Sequence, residues 1–222
     1  MLQWYDWDHN RYGQSPLPEE KYHDIDNIGR IITLPHHVFH RDCDEIVIAA
    51  NETGKVKTLI LGPPLIYGAG RGPVNQRSIQ APNMTRFTLE YGFAPVMSGQ
   101  GSPEWDNVHI HDVGKFFVLA VDAALDPEKK KNPEIFGPHG YFFLENGTHT
   151  WRWLATEIAK EAKEQGFIPE AKVHEGDYKR YGANSKCVAA RAKKYLGWEP
   201  VGKSFKDEIP SLVASEAKRL GK

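Results

Sequence analysis

The stretch Lys57 to Gly72, KTLILGPPLIYGAGRG, constrains the fold more than any other part of the chain. It opens on an apolar run, Thr58-Leu59-Ile60-Leu61, with a lysine before it and a glycine after it. Such a short run reads as a strand inside a parallel sheet, because strands of that kind are buried on both faces. Gly62-Pro63-Pro64 then ends it, since proline has no N–H to give to a central ladder. A second apolar patch, Leu65-Ile66-Tyr67, follows, and after it come Gly68, Gly70 and Gly72 around Arg71. Ligands of open α/β sheets bind beyond the carboxyl ends of the strands. A rigid apolar turn followed by a glycine-rich loop with one arginine has the composition of such a site. It is equally compatible with a strand that runs into a surface loop, and the residues alone leave both readings open.

Composition narrows the class. The chain has 222 residues, 40% of them hydrophobic and 26% charged, enough to fill a core and unlike a disordered chain. A net charge of -1 carries no nucleic-acid or membrane footprint. Two cysteines, Cys43 and Cys187, make no disulfide framework and fit a reducing, cytoplasmic compartment. No apolar run reaches the roughly 18–20 residues that span a bilayer.

Residues 1–30 are rich in aromatics without a regular period, and are expected to form a connecting segment that packs against something larger. Leu34 to Asn51 carries apolar residues at helical spacing (Phe39, Cys43, Ile46, Val47, Ala50), with Pro35 suited to the first turn. On that helix His36 and His40, four apart, share a face. Two histidines at this spacing can hold zinc, although a catalytic zinc needs a third protein ligand. Residues 75–92 read as a helix with a kink or restart at Pro82. Ala94 to Met97 and Asn107 to Ile110 read as short strands, and His109 and His111 form an HxH pair. Asp112 is placed to cap a helix to about Leu125, apolar on most sides and so expected to be buried. Gly140 to Leu144 reads as a strand. Trp151 to Gln165, Val188 to Leu196 and Ser204 to Leu220 read as helices, with Thr148 or Thr150 capping the first.

The order LILGPPLIYGAGRGP, a helix, WDNVHIHDVGKFFVLAVDAAL, YFFLENG, and LGWEP before a terminal amphipathic helix resembles the extended short-chain dehydrogenase/reductases. This is the NAD(P)-dependent epimerase/dehydratase superfamily, and the pattern is nearest to its fungal-type members. The resemblance covers roughly residues 30–220. No single motif in it is diagnostic; the order and spacing of the five together are specific.

The resemblance implies an α/β fold: a partial Rossmann-like, doubly wound parallel sheet with a small C-terminal α/β substrate-binding lobe. Residues 31–75 would be the remnant of the NAD(P)-binding domain. Residues 76–222 would be mainly the lobe, with residues near 107–125 packing back on the sheet. The family's GxxGxxG turn, which cradles the dinucleotide pyrophosphate, has no counterpart in the sequence. The chain is therefore expected to correspond to the C-terminal half of such an enzyme, with NAD or NADP as the implied cofactor.

Aligning RDCDEIVIAA with the family's catalytic helix puts the YxxxK tyrosine at His36 and the lysine at His40. Pro63, Pro64, Leu65 and Ile66 match the apolar turn against the nicotinamide end, and Gly62 stands where an arginine is often found. Tyr67, Arg71, Trp105 and His109 match residues that line the substrate pocket. Three functions stay open. The first is an NAD(P)-dependent oxidoreductase or epimerase acting on a small carbonyl or hydroxyl substrate, as a homodimer in many family members. The second is a catalytically silent fragment or interaction protein. The third is a zinc protein built on His36, His40, His109 and His111.

Overall fold

The computed structural model describes residues 1–222. The first third of the chain forms α1 (Trp4–Asp8), β1 (Lys21–His23), α2 (Ile28–Ile32), α3 (Arg41–Glu52), β2 (Ile60–Gly62) and β3 (Leu65–Tyr67). The middle forms α4 (Gln80–Tyr91), β4 (Ala94–Met97), β5 (Glu104–His109), α5 (Ile110–Leu125), β6 (Tyr141–Phe143) and β7 (Thr148–Thr150). The end forms α6 (Trp151–Glu164), β8 (Val173–Gly176), β9 (Lys186–Val188), α7 (Arg191–Leu196) and α8 (Phe205–Arg219). The result is an α/β protein whose strands pair mainly in parallel: β1 with β9, β2 with β6, β3 with β5 and β4 with β8. Only β7 runs antiparallel, beside β5.

Pro63 and Pro64 explain how one apolar stretch serves two sheets. Neither residue has an N–H, so the β2 ladder stops there. The chain then re-forms as β3 on a different partner. Two hydrophobic cores flank this crossing. The first joins Tyr22, Val108, Phe116, Phe142, Phe143 and Trp198. The second joins Leu65, Met84, Trp151, Leu154, Ile158 and Val213. Burying each of the large aliphatic or phenyl side chains stabilises by about 1.5–3 kcal/mol.

The N-terminal segment is sewn into the first core by Asp24, which has no exposed surface. Its carboxylate accepts from the backbone N–H groups of Phe143, Ala190 and Arg191 at 3.1, 3.0 and 2.9 Å. Burial, the largest influence, raises its pKa, and these hydrogen bonds oppose the rise.

Several local expectations are corrected. The helix expected from Leu34 starts at Arg41. The Arg41 side chain donates to the carbonyls of Leu34, at 3.1 Å, and Ile32, which holds residues 33–40 in turns. His40 lies at φ +70, a conformation that ends any helix approaching from the N-terminal side. Pro82 causes no kink: α4 begins at Gln80, so the proline sits in the first turn, where no intrahelical donor is needed. β2 is half-buried along its length and not buried on both faces, and only β6 pairs with it. Val188 belongs to β9 and not to the helix that follows.

α5 is not buried all round. Phe116, Ala120 and Ala123 face the first core, while Phe117, Val118, Val121 and Leu125 are 57–74% exposed. A helix in contact with the core along one stripe leaves its other faces in water, whatever their composition. α6 and α8 match their sequence pattern closely. Thr150 and Ser204 cap α6 and α8 by accepting the N–H groups of Trp153 and Asp207 at 3.0 and 3.2 Å.

Candidate functional site

β3 and β5 lie side by side in register, so Tyr67 stands opposite His109 at the carboxyl ends of two parallel strands. Alternation along each strand puts Leu65 and Tyr67 on one face and Asn107 and His109 on one face. The Tyr67 and His109 rings meet edge to face at 5.3 Å. Two glycines admit this arrangement. Gly68 has φ +85, and a Cβ there would come within 2.5 Å of His109 Nε2. A Cβ on Gly202 would come within 2.5 Å of His109 Cβ.

Asp112 was expected to cap α5, but His109 does so: its Nδ1 accepts the N–H of His111 at 3.1 Å. Asp112, one turn further on, accepts instead from the N–H groups of Val201 and Gly202 at 2.8 and 3.1 Å. Its own carbonyl accepts the Trp198 indole N–H at 2.9 Å. These bonds anchor the 198–204 loop and thereby aim the first turns of α8 at the strand ends.

The electrostatics follow from the hydrogen bonds. His109 Nδ1 is an acceptor, so the neutral ring carries its proton on Nε2. That nitrogen lies 3.5 Å from Glu208 Oε1 on α8. Tyr67 donates its hydroxyl to the Lys203 carbonyl at 2.9 Å. Burial first, and then the charges of Asp112 and Glu208, push its pKa up to about 12. Tyr67 is therefore a neutral, anchored ring at physiological pH and serves as a wall. His111 titrates below the ordinary imidazole value, through desolvation first and then the charge of exposed Arg71.

The structure brings together some of the residues singled out in the sequence and separates others. Pro63, Pro64 and Ile66 are half-buried; the prolines lie between β2 and β3, at the opposite end of β3 from Tyr67, and Ile66 packs against the first core, whereas Leu65 is fully buried in the second core. Trp105 lies four residues back along β5, about 13 Å from His109. Its indole N–H is given to the Ala183 carbonyl at 2.8 Å.

His36 and His40 do not share a helix face, because no helix spans them. His36 is exposed, with Nδ1 2.7 Å from Glu45 Oε2. The His40 ring packs on Phe39 at 3.8 Å. The histidine-based zinc reading is overturned as well: no three metal-ligating side chains converge anywhere in the protein. Glu208 and Phe205 were missed as site residues. In the sequence they read only as one polar and one apolar position of an amphipathic helix.

Pro63, Pro64 and Ile66, the residues aligned with the nicotinamide end, leave part of their surface in solvent. The pyrophosphate needs a glycine-rich turn running into a helix N-terminus, and none of the helix starts in this chain follows such a turn.

Strands that pair mainly in parallel and alternate with helices define a Rossmann-like α/β protein. Residues 17–136 match the family described as NAD dependent epimerase/dehydratase, and the chain belongs to that family. It is 29% identical over 228 residues to oxidase ucsJ of an Acremonium species, covering 95% of this chain and 65% of the relative. Among solved structures it resembles UDP-glucose 4-epimerase from Thermotoga maritima, with a TM-score of 0.53, 20% identity and coverage of 81% of this chain and 52% of that one. It also resembles a dTDP-glucose 4,6-dehydratase from Streptomyces venezuelae that was solved with NAD, with a TM-score of 0.57, 17% identity and coverage of 82% and 49%. The chain thus spans from about half to 65% of the length of these relatives.

Proposed function

We propose that this chain forms the substrate-recognition part of an NAD(P)-dependent oxidoreductase or epimerase acting on a carbonyl or hydroxyl group of a small molecule. The observation that carries the reading is the junction at the carboxyl ends of β3 and β5. There the Tyr67–His109 pair meets the start of the glycine loop bearing Arg71, while the Pro63-Pro64 turn stands at the carboxyl end of β2. Open α/β sheets bind ligands at this kind of position. In this reading Pro63, Pro64 and Ile66 contact the nicotinamide end of NAD or NADP, with Leu65 supporting them from the core. Tyr67 and His109 border the substrate, and Arg71 with His111 meets a phosphate or carboxylate at the outer rim. Trp105 supports the strand from its far end.

A second reading, a binding protein without turnover, is favoured by His36 and His40. At the positions aligned with the catalytic pair both histidines are exposed, one beside Glu45 and the other tilted against Phe39. The test is thermal unfolding of the full chain with and without NADH and NADPH, followed by cofactor oxidation assays with aldehydes and ketones. Ligand at about a hundred times its dissociation constant adds roughly 2.7 kcal/mol of stability. A shift with turnover supports the enzyme, and a shift without turnover supports the silent binder. A cooperative transition that neither cofactor moves refutes the cofactor assignment.

A further inference from the structure

Beyond the stripe that meets the first core, α5 carries a second apolar stripe. Gly114, Val118, Val121 and Leu125 fall four, three and four residues apart, which sets them in one line along a helix. All four are exposed, and exposed Phe117 and Ala124 border the line on one side. Lys115 and Asp122, seven residues apart and also exposed, border it on the other. The apolar side chains together present on the order of 500 Å², as large as the largest patch on a typical monomer and a common mark of an interaction site.

Two gaps interrupt this surface. Glycine in a helix interior is destabilising relative to alanine, and nothing within the chain demands one at Gly114, where a Cβ would meet no atom within 4 Å. It leaves a notch in the stripe. The second gap lies beside Ala124, which rims a surface hollow together with Lys57, Lys130, Lys131 and Phe136.

The stripe is complementary to a second copy of itself running antiparallel, an arrangement in which the order of residues reverses across the pair. Leu125 of one copy fills the notch at Gly114 of the other, and Val118 packs on Val121. On one flank Phe117 meets Ala124 and the hollow beside it. On the other flank Lys115 meets Asp122, twice by symmetry. The Lys115 ammonium donates to the Glu199 carbonyl at 2.9 Å and keeps two donors for the carboxylate. A parallel pair has none of these matches: it sets Gly114 on Gly114 and turns Lys115 toward the apolar flank.

We infer that this face joins two copies of the chain as an antiparallel pair of α5 helices about a two-fold axis. α3, the helix aligned with the family's catalytic helix, takes no part. The area is near the lower limit of a specific interface, so the association is weak and depends on protein concentration.

The test is sedimentation velocity of the full chain at concentrations up to about 1 mM. The wild type passes from monomer to dimer as concentration rises. Lys115→Asp and Asp122→Lys each weaken the dimer about tenfold or more, since two attractive pairs become two repulsive ones. Mixing those two variants restores association, because each supplies the charge the other lacks, and so does placing both substitutions in one chain. Val121→Glu puts a charge in the central layer and abolishes association. Ile46→Asp, at an exposed position of α3, leaves it unchanged. Every substituted position is exposed, so thermal unfolding of each variant stays cooperative. A wild type that stays monomeric throughout overturns the inference and leaves the face to a different partner. It is overturned equally if the mixture and the doubly substituted chain associate no better than the single variants, or if Ile46→Asp breaks the dimer while Val121→Glu does not.

Discussion

Lowering the pH from neutrality should destabilise this protein through one buried histidine. His149 lies on β7 and is 4% exposed. Its Nδ1 is 3.0 Å from the Asn107 amide nitrogen, and its Nε2 has no partner. Trp151 and Phe205 stand edge-on to the ring, each at 5.3 Å. Desolvation first, and the nearby Lys186 charge second, lower its pKa from 6.5 to about 3. Between those two values the unfolded chain binds the proton and the native one does not, so stability rises with pH across the window and falls on acidification. At about pH 4.5 the unfolded state's preference for the proton is roughly a hundredfold, worth about 2.7 kcal/mol relative to neutrality.

Other groups titrate in the same range. Asp24 and Asp44, with pKa values raised by burial, act with the opposite sign, so a single pH profile is ambiguous. The comparison with His149→Phe is not, because those groups are common to both proteins. Urea unfolding followed by tryptophan fluorescence, at neutral pH and at about pH 4.5, gives the two differences directly. The wild type should lose about 2.7 kcal/mol more than the variant does. Parallel pH profiles would refute the reasoning: His149 would then be protonated, or reached by water, in the native state.

Three further outcomes follow from the packing. Lys186→Met should cost about 3–5 kcal/mol in urea unfolding, because it strips the buried Asp106 carboxylate of the ammonium 2.6 Å away. Gly68→Ala should destabilise by about 1–2 kcal/mol from the left-handed backbone alone. It should also disturb the His109 ring, visible as a shifted imidazole NMR signal, since the new methyl meets Nε2 at 2.5 Å. Thr150→Ala and Ser204→Ala should each cost about 1 kcal/mol through the lost cap, and their double mutant should be additive because the two caps share no partner.

The parts of the protein that were legible in the sequence are those governed by local rules. α6 and α8 show in their apolar periodicity and their capping hydroxyls, both set by residues within a few positions of one another. The strand, proline turn and glycine loop of Lys57–Gly72 show for the same reason, and with them the likeness to the epimerase/dehydratase family. β1, β8 and β9 were not legible. Each is three or four residues long and exists only because a distant parallel partner completes its hydrogen bonds. The start of α3 was also hidden. The carbonyls that would have continued the helix pattern toward Leu34 are taken by the Arg41 guanidinium, a contact that periodicity does not register.

The candidate site divides along the same line. The family resemblance singled out Tyr67, Arg71, Trp105 and His109, because it is carried by motifs that are each written in consecutive residues. Only the tertiary structure decided that His109 keeps its proton on Nε2, that Tyr67 is an anchored neutral ring, and that Glu208, 99 positions beyond His109, faces them. The physical reason is that composition and spacing specify which groups a segment carries. Their protonation, partners and exposure depend on what other segments bring within a few ångströms, and here that is settled by Asp112 holding the 198–204 loop and aiming α8 at the ends of β3 and β5.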